Sequence, residues 1–207
     1  NLTPVAMLCR SPTALVVNAK LPITTVSDYV AYAKANAGNI FYGYAGIGTA
    51  QHQHHEMFNK LTGIAPRGVN YKSSADAQAD LVAGRLQSMI VTVASTLGQI
   101  EAGQLRLIAY TNDTYPPTSP KAPTMAEAGV KGMEAMRSFW AIYAPPKLPA
   151  DILKAMHAAV NDALADPSFT ALMARSGATP TVISQEAFIE TLKEEITLID
   201  AFFKEVK

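Results

Sequence analysis

Asn39-Ile-Phe-Tyr-Gly-Tyr-Ala-Gly-Ile-Gly-Thr-Ala-Gln-His-Gln-His-His-Glu56 changes character twice along its length. Ile40 to Tyr42 are β-formers, and Gly43, Gly46 and Gly48 predict a bend with access to positive φ. Thr49 is placed to cap a helix continuing through Met57, Phe58 and Leu61. A strand, a glycine loop and a helix start follow from that order. The first turn of a helix presents unpaired N–H groups and roughly half a positive charge, and glycines let a ligand approach the backbone. The segment therefore implies a cradle for a small anion. Gly46, Ile47, Gly48 and Thr49 would supply backbone donors, and Thr49 and His52 side-chain hydrogen bonds.

Outward from this segment, the same alternation repeats. Before it, Thr13 to Asn18 is a nearly continuous apolar run, as in a strand covered on both faces, and Ser27 is read as the cap of a helix through Ala35 that Gly38 stops. After it come a strand at Arg67 to Tyr71, a helix opened by Ser73 and Ser74 and ended by Gly84, and a strand at Leu86 to Val93. A short helix from Ser95 to Ile100 and a strand at Leu105 to Tyr110 complete the series. Five strands alternating with four helices predict a mostly parallel α/β sheet with right-handed crossovers. Such sheets bind ligands at the carboxyl ends of their strands, here Tyr44–Thr49, Lys72–Ser74, Ala94–Thr96 and Thr111–Asp113. Beyond Tyr110 a connector with Pro116, Pro117, Pro120 and Pro123 carries Thr124-Met-Ala-Glu127, which has capping-box spacing for a short helix. Phe139 to Ala144 reads as another strand. Helices are expected over Pro149 to Ala165, Ser168 to Arg175, and Ser184 to about Val206.

Seventeen basic residues balance seventeen acidic ones, which argues against nucleic acid or an anionic surface as partner. No apolar run approaches the ~18 residues of a membrane-spanning helix. Cys9 stands alone, so no internal disulfide forms, and it reads as a small buried hydrophobe. The chain opens at Asn1 without a methionine or signal-like segment, which is read as a processed, trimmed or incomplete start.

The glycines do not make a nucleotide site. Gln51 stands where a dinucleotide fingerprint needs its third glycine, and no Gly-Lys-Ser/Thr follows for a P-loop. His52, His54, His55 and Glu56 lack metalloprotease spacing and a second ligand cluster, so neither metal nor cofactor is expected. No Gly-x-Ser-x-Gly is present, and Ser73, Ser74 and Ser95 read as helix caps. An acyl-transfer or hydrolytic enzyme using a serine with His52 stays open as the alternative to a carboxylate-binding module.

Several segments together resemble one family. They are Asn39-x-x-Tyr42-Gly43-x-Ala45-Gly46-x-Gly48-Thr49-x-x-His52, Tyr71-Lys72-Ser73 leading to Asp80-Leu-Val-Ala-Gly84, Ile100-Glu-Ala-Gly-Gln-Leu-Arg106, Ala122-Pro-Thr-Met-Ala-Glu-Ala-Gly129, and Ser138-Phe-Trp140 before Ala144-Pro145. In this order they resemble the solute-binding receptors of tripartite tricarboxylate transporters, the Bug family of periplasmic proteins. The resemblance implies a periplasmic-binding-protein-like fold and no enzymatic activity. It also implies a small organic carboxylate as ligand, membrane permease subunits as partners, and closure by rotation near Phe139. On that analogy residues 1–12 are a crossover segment and 13–113 the second lobe with the ligand loops. Residues 114–207 are a connector, a hinge strand and C-terminal helices packing on an incomplete first lobe. The implied ligand-binding residues are Tyr44, Ala45, Gly46, Ile47, Gly48, Thr49, His52, Lys72, Ser73, Ser74, Ala94 and Ser95. The family also has a leading region, about a third of the mature protein, that this chain does not contain. Val91 and Thr92 hold positions where family members commonly carry acids, so a carboxylate without an amino group is favoured. A shortened lobe that self-associates through its uncovered face is the further alternative.

Overall fold

The computed structural model describes residues 2–112, 119–133, 138–175 and 178–205. Asp113, Pro116, Pro117 and Val206, named in the sequence reading, lie outside these residues. In chain order the elements are β1 (Thr3–Arg10), β2 (Thr13–Asn18), α1 (Val26–Ala35), β3 (Phe41–Tyr44), α2 (Ala50–Thr62), β4 (Arg67–Asn70), α3 (Ser74–Val82) and β5 (Ser88–Thr92). A 3-10 turn (Val93–Ser95), α4 (Leu97–Glu101), β6 (Leu105–Tyr110), β7 (Phe139–Ala144), α5 (Ala150–Ala165), α6 (Pro167–Arg175), β8 (Thr179–Pro180) and α7 (Gln185–Glu205) follow. They divide into two compact units, a larger one from residue 12 to 112 with 119–133, and a smaller one of residues 2–11 with 138–205.

The larger unit is built on a five-stranded sheet of order β4-β3-β5-β2-β6. β3 runs parallel to β4 and β5, whereas β2 lies antiparallel to both β5 and β6. The sheet is thus mostly parallel, with one reversed strand inside it. All six residues of β2 are buried, and a run apolar on both faces packs equally well in either direction. Leu15 and Val17 face α1 and α2 through Val26, Tyr29 and Phe58; Val16 faces α3 through Ala77 and Leu81. Reversal of β2 brings its first residue, Thr13, to the edge where the parallel strands end.

Local chemistry sets the helix ends. Thr25, not Ser27, caps α1, in a box with Asp28 whose carboxyl is held down to about 2 by bonds from Thr24 and Thr25. The box at Thr124 and Glu127 also closes, through Thr124 N–H to Glu127 and Glu127 N–H to Thr124 Oγ1. It encloses a turn rather than the expected helix. Met125 and Met133 beside it are fully buried in the core of the larger unit. The Arg106 guanidinium donates to the carbonyls of Ala19, Leu21 and Ile23, fastening the loop between β2 and α1.

Gly43 has a different task from the loop glycines after it. A Cβ there would lie 2.5 Å from Leu86 Cδ1 and 3.2 Å from Ala77 Cβ, so the missing side chain lets α3 sit close on β3. Gly43→Ala is expected to lower stability by about 1–2 kcal/mol through overpacking, measured as a shift of the urea midpoint at unchanged slope. An unshifted midpoint would refute the close-packing role.

The smaller unit contains an antiparallel sheet of order β7-β1-β8. Thr3–Arg10 is the central strand of that sheet. Its partner Phe139–Ala144 is remote in sequence, which hides the pairing from local pattern. Val5, Ala6 and Ala144 pack under Leu153, Met156 and Val160 of α5, while Phe188 of α7 meets the rings of Phe139 and Tyr143. Cys9 is buried on β1, and burial pushes its thiol up. Trp140 on β7 is 64% exposed.

Candidate functional site

β3 delivers Tyr44 to the carboxyl edge of the sheet, and residues 45–49 turn the chain into α2. Gly46 (φ 96°) and Gly48 (φ 79°) occupy the left-handed region, which is why this turn needs glycine. The loop closes on itself through side chains. Ala45 N–H donates to Gln51 Oε1 at 3.1 Å, Gly46 N–H to Asn70 Oδ1 at 2.9 Å, and Gly48 N–H to His52 Nδ1 at 3.2 Å. Thr49 makes no side-chain cap; its hydroxyl donates to Gly46 O at 2.8 Å. Ile47 stands at the tip, 77% exposed.

The first helical bond of α2 runs from Gln53 N–H to Thr49 O, so the amides of Ala50, Gln51 and His52 precede the ladder and point along the helix axis. His52 lies with its ring 4.4 Å from that of Tyr44. Because its Nδ1 accepts from Gly48, the ring proton is assigned to Nε2, which leaves one donor directed away from the loop.

Two neighbouring loops share the edge. Ser73 caps α3, accepting from Asp76 N–H and donating to Asp76 Oδ2 at 2.7 Å, so its hydroxyl is engaged inward. Ser95 is not a helix cap; it closes the 3-10 turn, and its hydroxyl donates to Thr92 O at 2.8 Å. Gln78, 6% exposed, reaches both Ser74 Oγ and Ser95 Oγ at 3.2 Å, and Gln51 Nε2 reaches Ser74 Oγ at 2.9 Å. The structure thus brings Ala45, Ser74 and Ser95 into one network. Lys72 and Ala94 are exposed beside it.

Beneath the loop, α2 is tied to the sheet by buried histidines. His54 Nδ1 is 3.0 Å from Thr13 Oγ1, which also bonds Thr111 Oγ1, and Thr13 N–H donates to Asn112 Oδ1. His55 stacks on Tyr42 at 3.9 Å, with Nε2 3.1 Å from Ser88 Oγ and Nδ1 3.4 Å from Asn59 Oδ1. Tyr29 bonds the same Ser88 at 2.6 Å, and Tyr42 donates to Glu56. Desolvation pulls His54 down to about 4 and His55 down to about 3, so both are neutral at pH 7.

Among the described residues no serine is hydrogen-bonded to His52, and no group of three metal-ligating side chains occurs. The donors at this edge with no acceptor among the described residues are His52 Nε2–H, the Ser74 hydroxyl, the Lys72 ammonium and the first-turn amides of α2. Asn112 falls in the strand-end segment expected from sequence, Thr111–Asp113, whereas Gln51, Asn70, Gln78 and Thr13 were not expected. Only the four-residue spacing of Ser74 and Gln78, which puts both on one face of α3, hinted at any of them.

The α/β unit with its donor-lined edge has the architecture of a periplasmic-binding-protein lobe. The family model described as the tripartite tricarboxylate transporter family receptor matches residues 1–207, and the chain belongs to that family of receptors. BugT of Bordetella pertussis is 30% identical over 197 residues, covering 95% of this chain and 60% of BugT. The chain spans about 60% of the length of the curated relatives it matches. Among solved structures, R. palustris Rpa4515 with adipate is 33% identical at a TM-score of 0.85, covering 95% of this chain and 66% of that one. The periplasmic binding protein BugD is 27% identical at 0.86, covering 98% and 69%.

Proposed function

We propose that this chain is the solute-holding part of an extracytoplasmic receptor. It captures a small organic carboxylate lacking an amino group and hands it to membrane permease subunits from the periplasm. The observation that carries this reading is the set of hydrogen-bond donors where the glycine loop enters α2, with the exposed Lys72 leading into the cap of α3. A carboxylate is complemented by such donors and by the positive end of the helix. An amine would find little: Val91 is buried and apolar, Thr92 is uncharged, and Asp76 is engaged by Ser73. Adipate on the similar Rpa4515 supports a linear diacid as the starting probe. Tyr44, Ala45, Gly46, Ile47, Gly48, Thr49, His52, Lys72, Ser73, Ser74, Ala94 and Ser95 form the proposed site. Ala45, Gly46, Thr49, Ser73 and Ser95 shape it through inward bonds.

A thermal-shift screen against mono-, di- and tricarboxylates, amino acids and phosphates tests this reading. A ~10 µM ligand at about 1 mM raises stability by roughly 2.7 kcal/mol, so one carboxylate class is expected to lift the melting temperature clearly. Stabilisation by amino acids alone, or by nothing in a chain that melts cooperatively, would overturn it. Exposure of Leu2 (66%), Trp140 (64%) and Ile196 (57%) on the smaller unit favours a second property, self-association. Sedimentation is expected to show a concentration-dependent dimer, and a monomer across the accessible range would exclude it.

A further inference from the structure

We propose that Gln51 and Gln78 are positioning residues of the carboxylate site, a role that rests on the receptor reading above. Together they turn the Ser74 hydroxyl into a dedicated donor toward the ligand. Gln51 has no freedom of orientation: its Oε1 receives the Ala45 amide and its Nε2 donates to Ser74 Oγ, and a flipped amide would set N–H against N–H. Gln78 reaches Ser74 and Ser95 through the same Nε2, whose two hydrogens serve one hydroxyl each. Ser74 Oγ therefore accepts twice, and both lone pairs are occupied. Its own proton has no acceptor among the described residues, and the two glutamines exclude it from their side. Ser95 differs, because it accepts once and donates to Thr92 O. Of the three serines at this edge, Ser74 alone keeps a proton for a guest.

The same two side chains link the loop after β3, the start of α3 and the turn after β5. Burial of Gln78 makes this link stiff, since an amide at 6% exposure has no water to exchange partners with. Ser74 thus arrives at the ligand with its orientation already fixed, and the entropy of ordering it is not charged to binding.

The test uses the full 207-residue chain and adipate titrated by calorimetry. Ser74→Ala and Gln78→Met, which is nearly isosteric but donates nothing, are each expected to weaken adipate about tenfold, the loss that follows from one hydrogen bond to a charged group. Gln78→Glu distinguishes positioning from mere support. Its carboxylate accepts the Ser74 proton and turns it inward, so Ser74→Ala added to Gln78→Glu is expected to change affinity no further. Adipate affinity unaltered in Gln78→Met, even at a lowered melting temperature, would overturn the positioning role and leave the receptor reading standing. A full tenfold effect of Ser74→Ala within Gln78→Glu would also overturn it. Failure of the unmodified chain to bind adipate or any other diacid would overturn both.

Discussion

Lowering the pH from 7 to 5 is expected to cost this fold about 4 kcal/mol of stability, through His54 and His55. Both rings are nine-tenths buried or more and neutral, held down to about 4 and about 3 by desolvation. In the unfolded chain they titrate near the ordinary value of 6.5. Below that value the unfolded state takes up two protons that the native state refuses, so the loss begins near pH 6.5. It grows by about 1.4 kcal/mol per pH unit for each ring and levels off only near the native values. The carboxylates do not blur this window. Asp28, Asp80 and Asp166 are all held below the usual carboxylate value by hydrogen bonds, and their contributions are lost at more acid pH. Urea unfolding at half-unit steps reads the slope directly. His55→Gln is expected to remove one proton from the slope even as it lowers stability at pH 7. A profile flat from pH 7 to 5 would show that the two rings are not held neutral.

These histidines also mark where the sequence stopped being legible. On a helical wheel His54 and His55 are adjacent polar residues, and nothing local says that each meets a hydroxyl from another strand, Thr13 and Ser88. Elements whose cause is local were readable. The glycine loop follows from Gly46 and Gly48, the start of α3 from Ser73, and β2 from its unbroken apolar run. What depends on distant partners was not. The six buried residues of β2 do not encode its direction, and β1 does not reveal that Phe139–Ala144 pairs with it. The site divides the same way. Its position at the end of β3 could be inferred, whereas the bonds from Gly46 to Asn70, from Gln51 to Ser74 and from Gln78 to Ser95 join elements that only the folded chain brings together.

Gly48→Val is expected to weaken carboxylate binding by about 100-fold while leaving the cooperative melt almost unchanged. At φ 79° a side chain is strained whatever room it has, by about 1–2 kcal/mol for an ordinary residue and more for a β-branched one. Room itself is ample, because a Cβ at Gly48 would meet nothing within 4 Å. The strain is therefore relieved by a local backbone change and not by displacing the core. That change draws the Gly48 amide off His52 Nδ1, which frees the imidazole to rotate and abolishes the preference for a proton on Nε2. One oriented donor and the loop geometry are lost together, and at about 1.5–3 kcal/mol for a hydrogen bond to a charged group this reaches the stated factor. Gly48→Asn, a residue that tolerates the left-handed region, is expected to recover most of the affinity. Gly43→Ala, on the strand that leads into this loop, provides the opposite pattern, losing stability to a clash with Leu86 while the loop keeps its conformation. Calorimetry and thermal melts on the three variants separate the two roles. Full affinity in Gly48→Val would place the ligand elsewhere, since a loop that can change its backbone without consequence is not holding the solute.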